Sequence, residues 1–298
     1  MAGLDSTQLR TYAAVIGEGS FEAAARLLHV TPSAVSQRIR ALEQNVGQVL
    51  VRRAKPCRAT AAGQPLLRLA GQLALLEQEA LAEARAPLTG GRPRYRISVV
   101  VNADSLATWF PTALARLPDD LACCFDLRQD DQEHTADLLR DGTVTAAVTA
   151  EREPVQGCRS ERLGAMRYLA LAAPDLVRRH LADGPTPDAL ADTPVVVFDR
   201  KDRIQHRFLE TVTGRRLDPP VHYIPSVPGF GAAIRLGLGW GLVPEELAHP
   251  ELAAGRCVDI APGRHLDVPL HWQHWRLEST LLGALTTAVR AAAAEALR

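Results

Sequence analysis

Near the start of the chain, Ser33, Ser36, Gln37 and Arg40 fall at i, i+3, i+4 and i+7. Over a helix from Pro32 to about Asn45 they share one side, while Val35, Ile39, Leu42 and Val46 share the other. Hydroxyls and amides hydrogen-bond base edges or phosphates, and a guanidinium grips guanine with two bonds. A merely solvated helix face usually carries Glu and Lys; here the only charge is positive, which points to nucleic acid. Thr31 in the turn and Arg38 on the same helix complete the candidate contacts there. Beyond the helix, Gln48 to Thr60 reads as a β-hairpin with a basic tip, where Arg52, Arg53 and Arg58 would flank a duplex and meet phosphates or the minor groove.

Two earlier helices must position that face. Leu9, Tyr12, Ala13 and Ile16 predict one from about Asp5 to Ile16, broken by Gly17 and Gly19. Ser20 is placed to cap a second, with Phe21, Ala24, Ala25 and Leu28 inside. A short turn and Pro32 at a first helical position complete a helix-turn-helix.

Charge supports the same division. The 298 residues hold 34 basic and 34 acidic side chains, yet the first sixty carry eight basic against four acidic. A head of +4 on a body of −4 suggests nucleic-acid binding at the head only. The length suggests about two domains, and 47% hydrophobic with 23% charged residues is a globular composition. No stretch is apolar enough to span a bilayer, no signal peptide opens the chain, and five cysteines do not form a disulfide framework, so a cytoplasmic protein without membrane contact is expected. No catalytic residues, metal ligands or cofactor site are expected. His271 and His274 point to opposite faces of a predicted strand, Gly237 to Gly241 reads as a turn before a strand, and neither G-x-S-x-G nor H-E-x-x-H occurs.

Between head and body, Leu66, Leu69, Leu73, Leu76 and Ala80 repeat at alternating three- and four-residue spacing, a coiled-coil-like seam on a helix from about Gln64 to Arg85, with packing on its own domain the weaker alternative. Pro65 sets the start or kinks it. Pro87, Gly90, Gly91 and Pro93 read as a hinge. Beyond it, strands at Arg96–Val101, Leu121–Leu127 and Val144–Thr149 alternate with helices at Ser105–Leu117 and His134–Arg140. A second set from near Met166 has strands at Val195–Phe198, Val221–Ile224 and Gly241–Val243, with helices at Ile204–Thr211, Phe230–Leu238 and Glu245–Ala253. A strand at Leu270–Trp275 and a helix from about Ser279 follow. Repeated βα units place ligands at strand C-terminal ends.

In VVNADSLATWF (Val100–Phe110), Asn102, Asp104 and Ser105 stand where a strand passes into a helix, a position suited to a carboxylate. Asp104 either caps that helix or faces the ligand, where it would attract a cation; both features together suit a zwitterionic amino acid. Asp130, Asp131, Asp199 and Asp202 follow strand ends and could pair with an ammonium or guanidinium. Thr149, Ser226 and Phe230 are further effector candidates by position.

These runs converge on one resemblance. SFEAAARLLHVTPSAVSQRIRALEQNVG (Ser20–Gly47), the wing and RATAAGQPLL (Arg58–Leu67) resemble the N-terminal domain of LysR-type transcriptional regulators. VVNADSLATWF, DDQEHT (Asp130–Thr135), VVVFDRKD (Val195–Asp202) and HWQHW (His271–Trp275) resemble its ArgP/LysG subfamily. The resemblance implies an α+β multidomain chain: a winged helix-turn-helix (1–60), a linker helix and hinge (61–90) and a two-lobed, periplasmic-binding-protein-like effector domain (91–298). Lobe I would be 91–165 plus 273–298 and lobe II 166–272, with crossings near Met166–Ala172 and Asp267–Trp272. It further implies a homodimer or homotetramer on a near-palindromic operator in double-stranded DNA, contact with RNA polymerase, and a lysine, arginine or histidine effector controlling export or metabolism genes. Pro225-Ser226-Val227-Pro228 departs from the subfamily, which often has polar residues there. A LysR-type sensor of another metabolite, or of thiol redox state through Cys123 and Cys124, and a solute-capture protein are the competing readings.

Overall fold

The computed structural model describes residues 3–89, 94–119, 121–129, 132–140 and 142–298. Three helices form the head, each begun by a side-chain cap. Asp5 Oδ1 accepts from the backbone N–H groups of Thr7 (2.7 Å) and Gln8 (3.2 Å) to open α1 (Ser6–Gly17). Ser20 Oγ accepts from Ala23 N–H at 3.1 Å to open α2 (Phe21–Leu27). Thr31 Oγ1 accepts from Ala34 N–H at 3.1 Å to open α3 (Pro32–Val46), with Pro32 where no helical N–H is needed. Between α2 and α3, His29 takes a left-handed φ of 54° and Val30 N–H bonds back to Ala25 at 3.0 Å, which closes the turn. Gly47, at φ 76°, ends α3.

Leu9, Tyr12, Val15, Ala24, Val35, Ile39 and Leu42 fill the core between these helices, while Val46, expected inside, is exposed because the helix ends beneath it. The wing is an antiparallel pair, β1 (Val51–Arg52) and β2 (Arg58–Ala59). Glu43 Oε1 ties it to α3 by accepting from Leu50 (2.9 Å) and Val51 (3.3 Å) N–H.

Helix α4 (Gln64–Thr89) starts at the expected residue, so Pro65 lies in its first turn, and it continues past Pro87. Gly90, Gly91 and Pro93 of the expected hinge lie outside the described residues. The seam differs from expectation. Leu67 and Ala70 are buried in the head's own core, Leu66, Leu69 and Leu73 are half-buried against it, and Leu76 is exposed. The three-four leucine spacing is thus met largely by α1, and Arg10 pairs with Glu77 at 2.7 Å alongside.

Along the body follow β3 (Arg94–Val101), α5 (Ala103–Ala107), α6 (Phe110–Ala115), β4 (Ala122–Gln129), α7 (Gln132–Arg140), β5 (Ala146–Thr149), β6 (Cys158–Ala172), α8 (Pro174–His180), α9 (Pro187–Asp192), β7 (Val195–Val197), α10 (Ile204–Thr213), β8 (Val221–Tyr223), α11 (Val227–Arg235), β9 (Gly241–Pro244), α12 (Glu245–Ala253), β10 (Val258–Asp259), β11 (Leu266–Trp275) and α13 (Thr280–Ala296). The single helix expected over 105–117 is broken in two, with Pro111 in the first turn of α6.

Two compact units result. The first takes Met1–Asn102, Leu114–Glu161 and His271–Val289. In it β3 runs parallel to β4 and β5, and His271–His274 of β11 pair antiparallel with β5 over a core that includes Val100, Leu139, Ala147 and Trp275. The second takes Ala103–Ala113, Arg162–Leu270 and Arg290–Arg298. There β9 and β10 pair antiparallel with β6, and β7 is parallel to β8. Its core holds Leu171, Val196, Phe230, Ile234, Val243 and Cys257.

These units differ from the expected lobes, because 103–113 and 290–298 go with the second. Asp104 is bonded to Tyr168 of β6, and Arg298 exchanges backbone bonds with Ala165 (2.8 and 2.9 Å) while its side chain pairs with Glu245. The unit boundaries fall inside β6 and β11, at 161/162 and 270/271.

Candidate functional site

On α3 the polar face is presented as the spacing requires. Ser33, Gln37 and Arg40 are exposed and Ser36 is half-buried. Arg38 is not on that face: it is half-buried, and its Nη1 donates to Thr11 Oγ1 at 3.4 Å, one helical step round from the outer stripe. Thr31 is exposed, with its hydroxyl engaged in the cap. In the wing, Arg52 and Arg58 are exposed and directly opposite one another. Like charges so placed destabilise a strand pair, and an anion laid against them relieves the repulsion. The Arg53 guanidinium stacks on the Phe21 ring, 5.0 Å from its centroid, which fixes this cation beside the start of α2. Among the described residues none of Arg40, Arg52 and Arg58 pairs with a carboxylate; Glu43, the acid nearest in sequence, is committed to the wing backbone.

The second unit contains a cavity of about 410 Å³. Phe230 and Ile234 of α11, Leu242 and Val243 of β9, Leu247 of α12 and Leu171 of β6 make it chiefly apolar. Its charged wall residues are Asp104, Arg235 and Glu251. Arg235 lies 3.4 Å from Glu251, which also binds Arg256 at 2.7 Å, and this holds the Glu251 carboxyl below its usual range.

Asp104 is different. Its Oδ2 accepts from the Tyr168 hydroxyl at 2.8 Å, and no cation pairs with it among the described residues. Burial pushes its carboxyl up to about 6 despite the phenol's bond, and nearby Asp202 pushes the same way. Burial, then the Asp104 charge, drives the Tyr168 phenol far above its ordinary value, so it stays a neutral donor. Burial also raises Asp202, against hydrogen bonds from the backbone of Ile204 and Phe198 and from Gln205.

The structure therefore puts Asp104 and Phe230 in the wall of one cavity, with Asp202 outside the wall but near enough to act on the Asp104 charge, and distributes the other candidates. Asp104 does not cap its helix; it lies within α5 and turns to β6. Ser105 is fully buried, its hydroxyl has no hydrogen-bond partner among the described residues, and it does not line the cavity. Since α5 has five residues, little aligned dipole remains to favour the carboxylate expected there. Asn102 belongs to the first unit and is half-buried; Thr149, in the same unit, is buried and accepts from Glu151 N–H at 3.1 Å. Asp199 closes a turn by accepting from Lys201 (2.7 Å) and Asp202 (3.0 Å) N–H, and Ser226 caps α11 through Gly229 N–H at 3.4 Å. Asp130 and Asp131 lie outside the described residues. Tyr168, Arg235 and Glu251 were not anticipated. The one available signal was a tyrosine inside an apolar strand, whose buried hydroxyl needs a partner.

Comparison with known proteins agrees with this division of labour. Residues 6–64 match the bacterial regulatory helix-turn-helix proteins of the lysR family, and residues 90–297 match the LysR substrate binding domain. The HTH-type transcriptional regulator LysG of Mycobacterium tuberculosis is 53% identical over 97% of this chain and 94% of its own. The lysine export transcriptional regulatory protein LysG of Corynebacterium glutamicum is 44% identical over 99% of this chain and 100% of its own. The full-length structure of the Corynebacterium glutamicum protein with bound effector Arg superposes with a TM-score of 0.79 at 44% identity, covering 99% of this chain and 100% of that one. With both of its parts matched, and relatives alike over nearly the whole length, the chain belongs to the LysR family of bacterial helix-turn-helix transcriptional regulators.

Proposed function

We propose that this regulator binds its operator through Ser33, Ser36, Gln37 and Arg40 of α3, with Arg52, Arg53 and Arg58 of the wing on the backbone, and that a basic amino acid sets its activity. Lysine and arginine are the foremost candidates, and genes of amino-acid export are the expected targets, as the name of the Corynebacterium relative and the arginine bound in its structure suggest. The observation that carries the effector reading is Asp104, a carboxylate in an apolar cavity wall whose only side-chain partner among the described residues is a neutral phenol. The protein acts by binding, without catalysis or cofactor, as a dimer or tetramer in the cytoplasm; the exposed Leu76 and Leu81 of α4 are the apolar surface open to a second copy. Among the described residues no helix is long and apolar enough to cross a membrane.

Calorimetric titration of the full chain with lysine, arginine, histidine and glutamate tests the effector. Lysine or arginine should bind and glutamate should not, since a second anion beside Asp104 and Asp202 is repelled. Equal binding of glutamate, or no binding of any basic amino acid, overturns the effector reading.

A further inference from the structure

Two stripes run along α4, each at i, i+3, i+7 and i+11. Leu66, Leu69 and Leu73 pack on the head's core, and Glu77 ends that stripe by meeting Arg10 of α1 at 2.7 Å. Arg68, Gly71, Leu75 and Glu79 form the other, displaced by two residues and so turned away from the first. Its contacts are with the body. Arg68 Nη1 donates to the Gln156 carbonyl at 3.0 Å. A Cβ on Gly71 would stand 2.7 Å from Cη2 of Trp275 and 3.1 Å from the Gly142 carbonyl oxygen, so only glycine admits this approach. Glycine weakens a helix interior, and the close packing is what it is kept for.

Glu79 makes the most specific of these contacts. Its Oε1 accepts from the Ser279 hydroxyl at 2.6 Å and from the Leu281 N–H at 2.9 Å, at the start of α13 and 200 residues along the chain. Helix α13 does not need this bond in order to begin, because Ser279 Oγ already accepts from Leu282 N–H at 3.0 Å as a local cap. Glu79 adds a second cap from another element, at the end where the helix dipole favours a carboxylate. A local cap starts a helix; a distant one fixes two elements to each other. On the head side the contacts continue from α4 through Arg10 to α1, where Thr11 accepts from Arg38 of the DNA-reading helix at 3.4 Å. Beyond Val289, α13 continues into the second unit.

We propose that Glu79 is a positioning residue of this regulator: by capping α13 it couples the head's hold on DNA to the state of the effector body. The inference rests on the reading in which the head binds DNA and the body senses an effector, and it does not depend on which effector that is.

The test uses the full chain and a duplex that it selects from a random-sequence pool. Hydrogen exchange over residues 279–284 is measured with and without the duplex. In the parent, DNA should change exchange there by at least about threefold. Glu79→Ala should abolish that response, and Glu79→Gln, whose amide oxygen still accepts, should keep most of it. The second readout is the ratio of DNA dissociation constants with and without arginine. Glu79→Ala should bring this ratio close to one while DNA alone and arginine alone each bind nearly as in the parent, and reciprocity requires the same loss when arginine is titrated with and without DNA. A cap of purely structural worth would lower the melting temperature and leave the exchange response and the ratio unchanged. Thermal melts establish that the variants fold, and the parent's own exchange response needs no variant. If DNA leaves exchange over 279–284 unaltered in the parent, the inference is overturned. It is overturned equally if a folded Glu79→Ala keeps the parent's exchange response or its arginine ratio. If arginine leaves the parent's DNA binding unchanged while the exchange results hold, the basic-amino-acid reading fails and the coupling through Glu79 stands.

Discussion

The outer face of α3 and the wall of the second unit's cavity both present polar groups for a ligand, yet they are built by opposite means. On α3 the geometry is local: one helix spaces Ser33, Ser36, Gln37 and Arg40, the side chains proposed to meet DNA. In the cavity the geometry is long-range. Asp104 takes its character from Tyr168, 64 residues away on β6, and from apolar walls on α11, β9 and α12. Exposed charges change the free energy of the folded chain little, so the α3 face can be altered almost without structural consequence. A buried, cation-free carboxylate alters both stability and affinity, and the two effects have opposite signs.

That contrast breaks first at Asp104. Its carboxyl lies near 6 in the folded chain against an ordinary value of 3.8. The folded state therefore holds the proton more tightly than the unfolded state, and this group's contribution to stability declines as pH rises through that window. A shift of this size corresponds to at most about 3 kcal/mol, fully unfavourable above pH 6. Asp104→Asn, which keeps an acceptor for the Tyr168 hydroxyl, should raise stability at pH 7.5 by up to that amount and leave it nearly unchanged at pH 4. Chemical denaturation at the two pH values checks this. A variant equally destabilised at both would mean that Asp104 is held by interactions the cavity does not account for.

A smaller effect sharpens the other side of the comparison. Gln37→Ala or Arg40→Ala should weaken specific operator binding by about 1–3 kcal/mol while leaving the melting temperature within a degree or two. Arg53→Ala should weaken binding to every sequence and flatten its salt dependence, since a phosphate contact releases counterions. Mobility-shift titrations at two salt concentrations separate the two patterns. Unchanged operator affinity in both α3 variants would remove that face from the interface.

The same division explains what could be read from the sequence. Helix α3, its Thr31 start and its Val35, Ile39 and Leu42 interior follow from a 3.6-residue period and a cap, both local, and α12 was anticipated to the residue. Where a residue's setting depends on a distant element, the reading failed. Arg38 lies between the two faces, and Thr11 of α1 draws it inward. The α4 leucines have a spacing that suits a second copy or their own head, and α1 takes most of them. The short helices α8 and α9, of seven and six residues, have too few turns to show a period. Tyr168 could not be paired with Asp104 without knowing that 103–113 packs with β6.

The smallest expected effect concerns Thr31, where the helix cap and the proposed DNA contact fall on one hydroxyl. As an acceptor, Thr31 Oγ1 takes the Ala34 N–H at 3.1 Å and satisfies one of the free donors at the start of α3. Its own O–H remains to donate outward, and the residue is exposed at the helix end, where N–H groups favour a phosphate. Three substitutions separate the roles. Thr31→Ala loses the cap and should cost about 1 kcal/mol of head stability. Thr31→Ser keeps acceptor and donor and should match the parent in stability and operator affinity. Thr31→Asp keeps the acceptor and adds a negative charge that suits the helix dipole, so stability should hold or rise by a few tenths of a kcal/mol. That same charge meets the phosphate backbone, so DNA affinity should fall across all sequences. Melting curves with operator titrations give both readouts. If Thr31→Asp binds DNA as well as Thr31→Ser does, Thr31 only caps α3, and the face that reads DNA begins at Ser33.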